Sequence, residues 1–136
     1  MELTAQKHII QRYYHELWNQ WKLVVADEII SYDVQFRGSL ALRSKGLDGF
    51  LKYMEFVRKA FPDFHNEIDE LIAEPGKVVA RLTYRGTHQG KLFGIPPTNK
   101  KIAYAGVAIF YLSENKITEG WVLGDTLSLM KQLRTQ

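Results

Sequence analysis

The stretch richest in chemistry runs from Lys116 to Asp125 and continues directly into Thr126-Leu127-Ser128-Leu129-Met130. It reads as a strand that ends in a carboxylate and turns into a short helix. Alternate residues of a strand share a face, so Ile117, Glu119, Trp121, Leu123 and Asp125 fall together unless a bulge intervenes. An acid at the edge of an apolar wall has its carboxyl pKa raised toward neutrality, which fits it for proton transfer. A structural role is the plainer reading of the stretch, because Asp is a favoured N-cap and Asp125 stands just before the helix that begins near Thr126. Glu119 shares the parity of this wall and is uncomfortable there as a lone acid; a bulge near Gly120 would turn it outward.

The elements that must position Asp125 follow from periodicity. Thr4 can cap a first helix, in which Ile9, Ile10, Tyr13, Tyr14, Leu17, Trp18 and Trp21 form one apolar stripe. Its polar insertions His15 and Asn19 are expected to face solvent, whereas Tyr14 and Trp18, four apart, can face one interior space. A short helix is expected over Lys22–Ile30. Tyr32, Val34 and Phe36 alternate with Asp33, Gln35 and Arg37 as a strand does, and Gly38–Gly46 reads as a loop. Leu47, Phe50, Leu51, Met54, Val57 and Phe61 mark a helix closed by Phe61-Pro62-Asp63. Strands follow over His65–Glu74, Lys77–His88 and Lys101–Leu112, with a turn at Pro75-Gly76 and a Gly- and Pro-rich loop over Gln89–Asn99. Small residues at Ala103, Ala105, Gly106 and Ala108 let a sheet curve or leave room against it. Leu127–Leu133 ends the chain as a helix. Helices first and consecutive antiparallel strands afterwards give an α+β architecture.

Composition narrows the function. The 136 residues are expected to form one domain with a single core. A net charge of +3, with scattered lysines and no basic stripe, argues against a nucleic-acid partner. No apolar run is long enough to cross a bilayer, so no membrane partner is expected. Met1-Glu2-Leu3-Thr4-Ala5-Gln6-Lys7 lacks the layout of a signal peptide, and the default expectation is a cytoplasmic protein. The absence of cysteine excludes disulfides and thiolate metal sites. The 12% aromatic content, with three Trp and seven Tyr, fits either a generous core or an aromatic-lined cavity.

Several motifs, in order along the chain, resemble the SnoaL-like polyketide (ester) cyclases of the NTF2-like superfamily. They are Tyr13-Tyr14-His15-Glu16-Leu17-Trp18-Asn19, Ala60-Phe61-Pro62-Asp63, Gly86-Thr87-His88-Gln89-Gly90, Phe93-Gly94-Ile95-Pro96-Pro97-Thr98-Asn99-Lys100, and Lys116-Ile117-Thr118-Glu119-Gly120-Trp121 followed by Asp125-Thr126-Leu127 and Met130-Lys131-Gln132-Leu133. The resemblance implies a cone-shaped α+β barrel, its curved antiparallel sheet wrapped around the N-terminal helices and a central apolar pocket. It also implies a homodimer formed through the sheet, and Asp125 as the acid/base aspartate. Between Trp121 and Asp125, where many relatives carry histidine or another polar residue, this chain has Val122, Leu123 and Gly124.

The chemistry that would follow needs no metal or cofactor. A base removes the acidic proton between two carbonyls, and the enolate carbon attacks a second carbonyl of the same hydrophobic molecule. Asp125 would act as general base and then general acid, and His88 would orient the substrate carbonyl or set the protonation of Asp125. Tyr14, Trp18, Phe36, Tyr104 and Trp121 would line the apolar pocket. Each has a plainer role: His88 as a loop histidine, the two tryptophans as core. Two alternatives stand beside the cyclase. One is an epoxide hydrolase or isomerase in which Arg81 would assist Asp125; the other is a non-catalytic small-molecule-binding or dimerisation module.

Overall fold

A computed structural model describes residues 2–135. The chain opens with helix α1 (Leu3–Arg12), which runs without a break into a π-helical turn over Tyr13–Trp18. That turn is closed by the Asn19 N–H donating to the Tyr14 carbonyl, five residues back, at 2.9 Å. Then come α2 (Val24–Ile29), β1 (Ile30–Arg37), β2 (Arg43–Lys45) and α3 (Gly46–Ala60). The second half is β3 (His65–Glu74), β4 (Lys77–Thr87), β5 (Lys101–Ser113), β6 (Lys116–Gly124) and α4 (Thr126–Arg134).

The six strands form one sheet in the order β2-β1-β6-β5-β4-β3. Every neighbouring pair is antiparallel except β1 with β6, which is parallel. The sheet curves around the N-terminal helices but does not close, so the expected barrel is an open cone with β2 and β3 as its edges. Register shifts in β1, β3 and at the β5–β6 turn help to bend it. Aromatic rings press against the concave face where side chains are missing. A Cβ built on Gly106 would stand 2.4 Å from the Tyr84 ring, and one on Gly120 would stand 2.8 Å from Phe36. Ile10, Tyr13, Leu17, Phe50, Met54 and Phe110 form the centre of the buried core between helices and sheet.

Several side chains hold elements together. The Gln6 side chain is fully buried; its Nε2 donates to the Glu74 carbonyl at 2.8 Å and its Oε1 accepts from Gly76 N at 2.8 Å. It thereby ties α1 to the β3–β4 turn. Asn19 does not simply face solvent as expected: it donates to the Asn66 carbonyl at 2.9 Å and accepts from Asn66 N at 2.8 Å, stitching the π-helical turn to β3. Thr4 lies inside α1 rather than capping it, since the N-cap position is Glu2 and carries no side-chain cap. The expected loop over Gly38–Gly46 contains the short edge strand β2 and the first residue of α3.

Two expected strand faces change sides. The register shift in β1 puts Val34 and Phe36 inside and leaves Tyr32 82% exposed. The shift between Tyr111 and Leu112 reverses the parity of β6. Ile117, Gly120 and Val122 point inward, while Glu119 and Leu123 point out and Trp121 is half-buried. An extra residue in one strand of a pair does this, because the side-chain period is two.

Candidate functional site

The concave face and the π-helical turn together border a small hollow. Its walls are Tyr13, Tyr14 and Trp18 from the turn, Phe36 and Ser39 from β1 and the segment after it, Tyr53 from α3, Phe64 and Asn66 around the start of β3, Tyr84 from β4 and Val122 from β6. The space is about 20 Å3, enough for roughly one water. Tyr104 lies directly behind this wall, its ring 4.9 Å from that of Tyr84 and its hydroxyl 2.9 Å from Ser39 Oγ.

The hollow is hydroxyl-rich and uncharged. The buried polar residues among those described are Gln6, Ser39, Asn66 and His88, so no carboxylate lies inside. Burial pushes the Tyr14 and Tyr84 phenols well above their ordinary range, and their mutual proximity, with Tyr13, Tyr53 and Tyr104 nearby, adds to it. Tyr13 and Tyr104 are raised chiefly by burial too. These phenols stay protonated and can only offer O–H groups to a ligand; none can serve as a tyrosinate base at ordinary pH.

Of the residues expected to line a pocket, Tyr14, Trp18 and Phe36 border the hollow and Tyr104 backs it. Trp121 is on the other side of the sheet, with the Arg37 guanidinium 5.5 Å from its ring centre. Tyr84, Tyr53 and Ser39 complete the wall. Tyr84 was legible as the fourth member of the Val78-Ala80-Leu82 face, and Tyr53 as the residue three after Phe50. Ser39, in a segment without periodicity, left no signal.

Asp125 sits at the end of β6, where its N–H donates to the Ala105 carbonyl at 2.8 Å. Its side chain is exposed, and Oδ1 accepts from Ser128 N at 3.0 Å as the N-cap of α4. It borders an open groove with Leu127, Ser128, Lys131, Gln132 and Thr135. The preceding residue, Gly124, is packed against the segment that closes the hollow: a Cβ there would lie 2.6 Å from the Ser39 carbonyl oxygen. Asp125 is thus outside the hollow, its side chain in the open groove along α4.

His88 is fully buried and does not meet Asp125. Its N–H bonds to the Lys100 carbonyl, five residues before Ala105 along the β5 region, which places the two about 17 Å apart along the strand. Thr98 N donates to His88 Nδ1 at 3.2 Å, so that nitrogen is the acceptor and Nε2 carries the proton. Nε2 has no partner, and burial pushes the imidazole below its ordinary value. The arrangement is that of a neutral histidine holding the Gln89–Asn99 loop. Arg81 is exposed on the convex face, 3.4 Å from Glu70, away from Asp125. Among the described residues no three His, Asp or Glu side chains gather as a metal site would need.

An open α+β cone, with a curved six-stranded sheet wrapped on N-terminal helices, is the NTF2-like architecture. Comparison with known families assigns it more closely. The profile of the SnoaL-like polyketide cyclases matches residues 8–133, and the chain belongs to that family. Among solved structures, a candidate polyketide cyclase from Bacillus cereus is 31% identical, with a TM-score of 0.79 over 96% of this chain and 80% of that one. AclR, a candidate hydroxylase from Streptomyces galilaeus, is 27% identical, with a TM-score of 0.83 over 97% and 82% of the two chains. A SnoaL-like protein from Jannaschia superposes with a TM-score of 0.90 at 18% identity over 98% and 94%, a likeness of fold alone. No curated protein matches. One fold thus carries both cyclase and hydroxylase descriptions among its neighbours, so the reaction has to be argued from the site.

Proposed function

We propose that the protein is a cofactor-independent, cyclase-like enzyme that takes a hydrophobic carbonyl or ester compound into the mouth of the cone and closes a ring in it. The supporting observation is the position of Asp125 at the end of β6, beside Gly124, whose backbone is packed on the Ser39 segment covering the hydroxyl-rich interior. In this reading the Asp125 carboxylate removes a proton from the carbon between two carbonyls. The enolate carbon attacks the second carbonyl and forms the new carbon–carbon bond, and the resulting alkoxide takes the proton back from Asp125. Loss of water completes the condensation. For the carboxylate to reach the substrate, the Ser39 segment must move aside. Proton transfer by one positioned carboxyl is worth about 10²–10⁴-fold, the remainder coming from holding the chain in a reactive fold.

The test is a linear β-polyketo methyl ester incubated with the protein, with ring closure read as loss of one water by mass spectrometry. The wild type should cyclise it above the buffer rate, and Asp125→Asn should retain binding but lose turnover by about 10²-fold or more. A second reading, a non-catalytic binding module, is favoured by one observation: Asp125 Oδ1 is already engaged by Ser128 N and no carboxylate lies inside. Equal behaviour of wild type and Asp125→Asn would select it.

We further infer a homodimer through the convex face of the sheet. Val107 pairs with Leu123 and Ile109 with Trp121 across β5 and β6, and Val107 and Leu123 are 41% and 53% exposed, an apolar strip on an open sheet.

A further inference from the structure

The outward face of the sheet carries its charges unevenly. On the β3–β4 side, arginines are matched to acids on the neighbouring strand: Arg81 lies 3.4 Å from Glu70, and Arg85 lies 3.6 Å from Glu67. At the β2 edge the matching stops. The register sets Lys45, Gln35 and Glu119 in one row across β2, β1 and β6, and Arg43, Arg37 and Trp121 in the next. Phe36 is buried, so its neighbours Gln35 and Arg37 project outward together with both rows. Arg43 stands directly opposite Arg37, and Lys45 is two residues along on the same face. Like charges directly opposite on paired strands repel each other. Among the described residues none of these three cations forms an ion pair.

The two rows border a pocket of about 180 Å3. Sites that bury a whole drug-sized ligand run to roughly 300–1,000 Å3, so this one suits a head group rather than an entire substrate. Arg37 is already positioned in it. Its guanidinium donates to the Val122 carbonyl, one residue past the last β1–β6 pair, and lies 5.5 Å from the centre of the Trp121 ring. A fork pinned before a ligand arrives loses less freedom on binding. Arg43 and Lys45 are exposed and can close on whatever Arg37 holds. Glu119 is the one carboxylate bordering the pocket, so three cations against it leave a surplus of two positive charges. A phosphate monoester carries about −1.5 to −2 at neutral pH and matches that surplus, whereas a carboxylate covers half of it.

We propose that the outward face of β2, β1 and β6 is a binding site for the head group of a small phosphate ester. Arg37 and Arg43 each offer phosphate oxygens a planar fork of donors, and Lys45 adds a point charge from the diagonal position. The organic part of the ester rests against the Trp121 indole at the side of the pocket. The site lies on the opposite side of the sheet from the inner hollow and uses neither Asp125 nor His88. It is therefore a second site, independent of the ring-closing reaction.

The probe is phenyl phosphate, with inorganic phosphate and benzoate as counterparts, titrated by calorimetry in low-salt buffer at neutral pH. Wild type should bind phenyl phosphate more tightly than either counterpart, and added KCl should weaken it. Arg43→Gln and Lys45→Gln should each weaken phenyl phosphate by about tenfold. Both should leave Tm unchanged or raised, because each removes an exposed charge that faces Arg37. Lys91→Gln, which removes an exposed cation from the Gln89–Asn99 loop, should bind as wild type does. Phenyl phosphate should also change tryptophan fluorescence in wild type and leave it unchanged in Trp121→Phe. No binding by wild type, equal affinity in Arg43→Gln, or an equal loss in Lys91→Gln would overturn the site and mark the cations as charges that keep an edge strand from pairing. Benzoate bound as tightly as phenyl phosphate would overturn the assignment to a dianion, and inorganic phosphate bound as tightly would overturn the assignment to an ester. Asp125→Asn should bind phenyl phosphate as wild type does, so a failed cyclisation assay leaves this site standing.

Discussion

Asp125 carries two roles that substitution can separate. Asn caps a helix about as well as Asp, so Asp125→Asn should change stability by only a few tenths of a kcal/mol, whereas Asp125→Ala should lose about 1 kcal/mol with the Ser128 bond. Denaturant titration of both variants checks this, and it clears any rate loss in Asp125→Asn of the suspicion of unfolding. His88 makes a pH prediction. Its folded-state pKa lies below the unfolded value of 6.5, so the unfolded chain takes up the proton first as pH falls. The stabilising contribution is complete above about pH 6.5 and is lost as pH drops from there through the lower folded value, because His88⁺ would have to give up the Thr98 N–H bond to Nδ1. Tm measured from pH 8 to pH 5 should fall less in His88→Asn than in wild type. At this scale the sequence is informative about residue type and weak about direction. Asp125 reads as cap or acid, and its cap is visible in the structure; Trp121 reads as a pocket residue and faces the other way.

Elements were most legible where one face of a long strand is buried. The alternation of Val78, Ala80, Leu82 and Tyr84 places β4 almost to the residue, since the opposite parity would bury arginines. The same rule misplaces β6, because a single register shift beside the Ser113–Lys116 turn inverts every side chain after Ile117, and the one sign of it in the sequence is the lone acid Glu119 on an apolar parity, which a bulge turns outward. The parallel pairing of β1 with β6 joins segments about 85 residues apart and leaves no local trace. The π-helical turn is equally silent, because Tyr13, Tyr14, Leu17 and Trp18 satisfy an α stripe as well. Gln6 is an ordinary polar residue of the first helix in the sequence, yet it satisfies backbone groups on both sides of the Pro75-Gly76 turn. Gln6→Ala leaves those groups without partners in a buried place and should cost about 2 kcal/mol, read as a lower midpoint in urea.

At the scale of the molecule, the open cone leaves an apolar convex strip and a nearly filled interior. The strip makes an assembly prediction: Leu123→Glu places a charge opposite Val107 and should convert a dimer to a monomer in sedimentation equilibrium without lowering Tm by more than about a degree, since Leu123 is half-exposed in the free subunit. A sedimenting monomer in the wild type would remove the dimer. The interior explains why family membership alone does not name a substrate. The space beneath Ser39 holds about one water, so any larger ligand requires its walls to move, the Ser39 segment among them.

The most direct measurement of proton transfer needs no natural substrate. Ethyl acetoacetate in D2O exchanges its acidic protons slowly at mildly acidic pH, and proton NMR follows the loss of signal. Catalytic amounts of wild-type protein should speed this exchange, and Asp125→Asn should reduce the acceleration by about 10²-fold while remaining folded. Exchange at the buffer rate with wild type, or equal acceleration by Asp125→Asn, would contradict it.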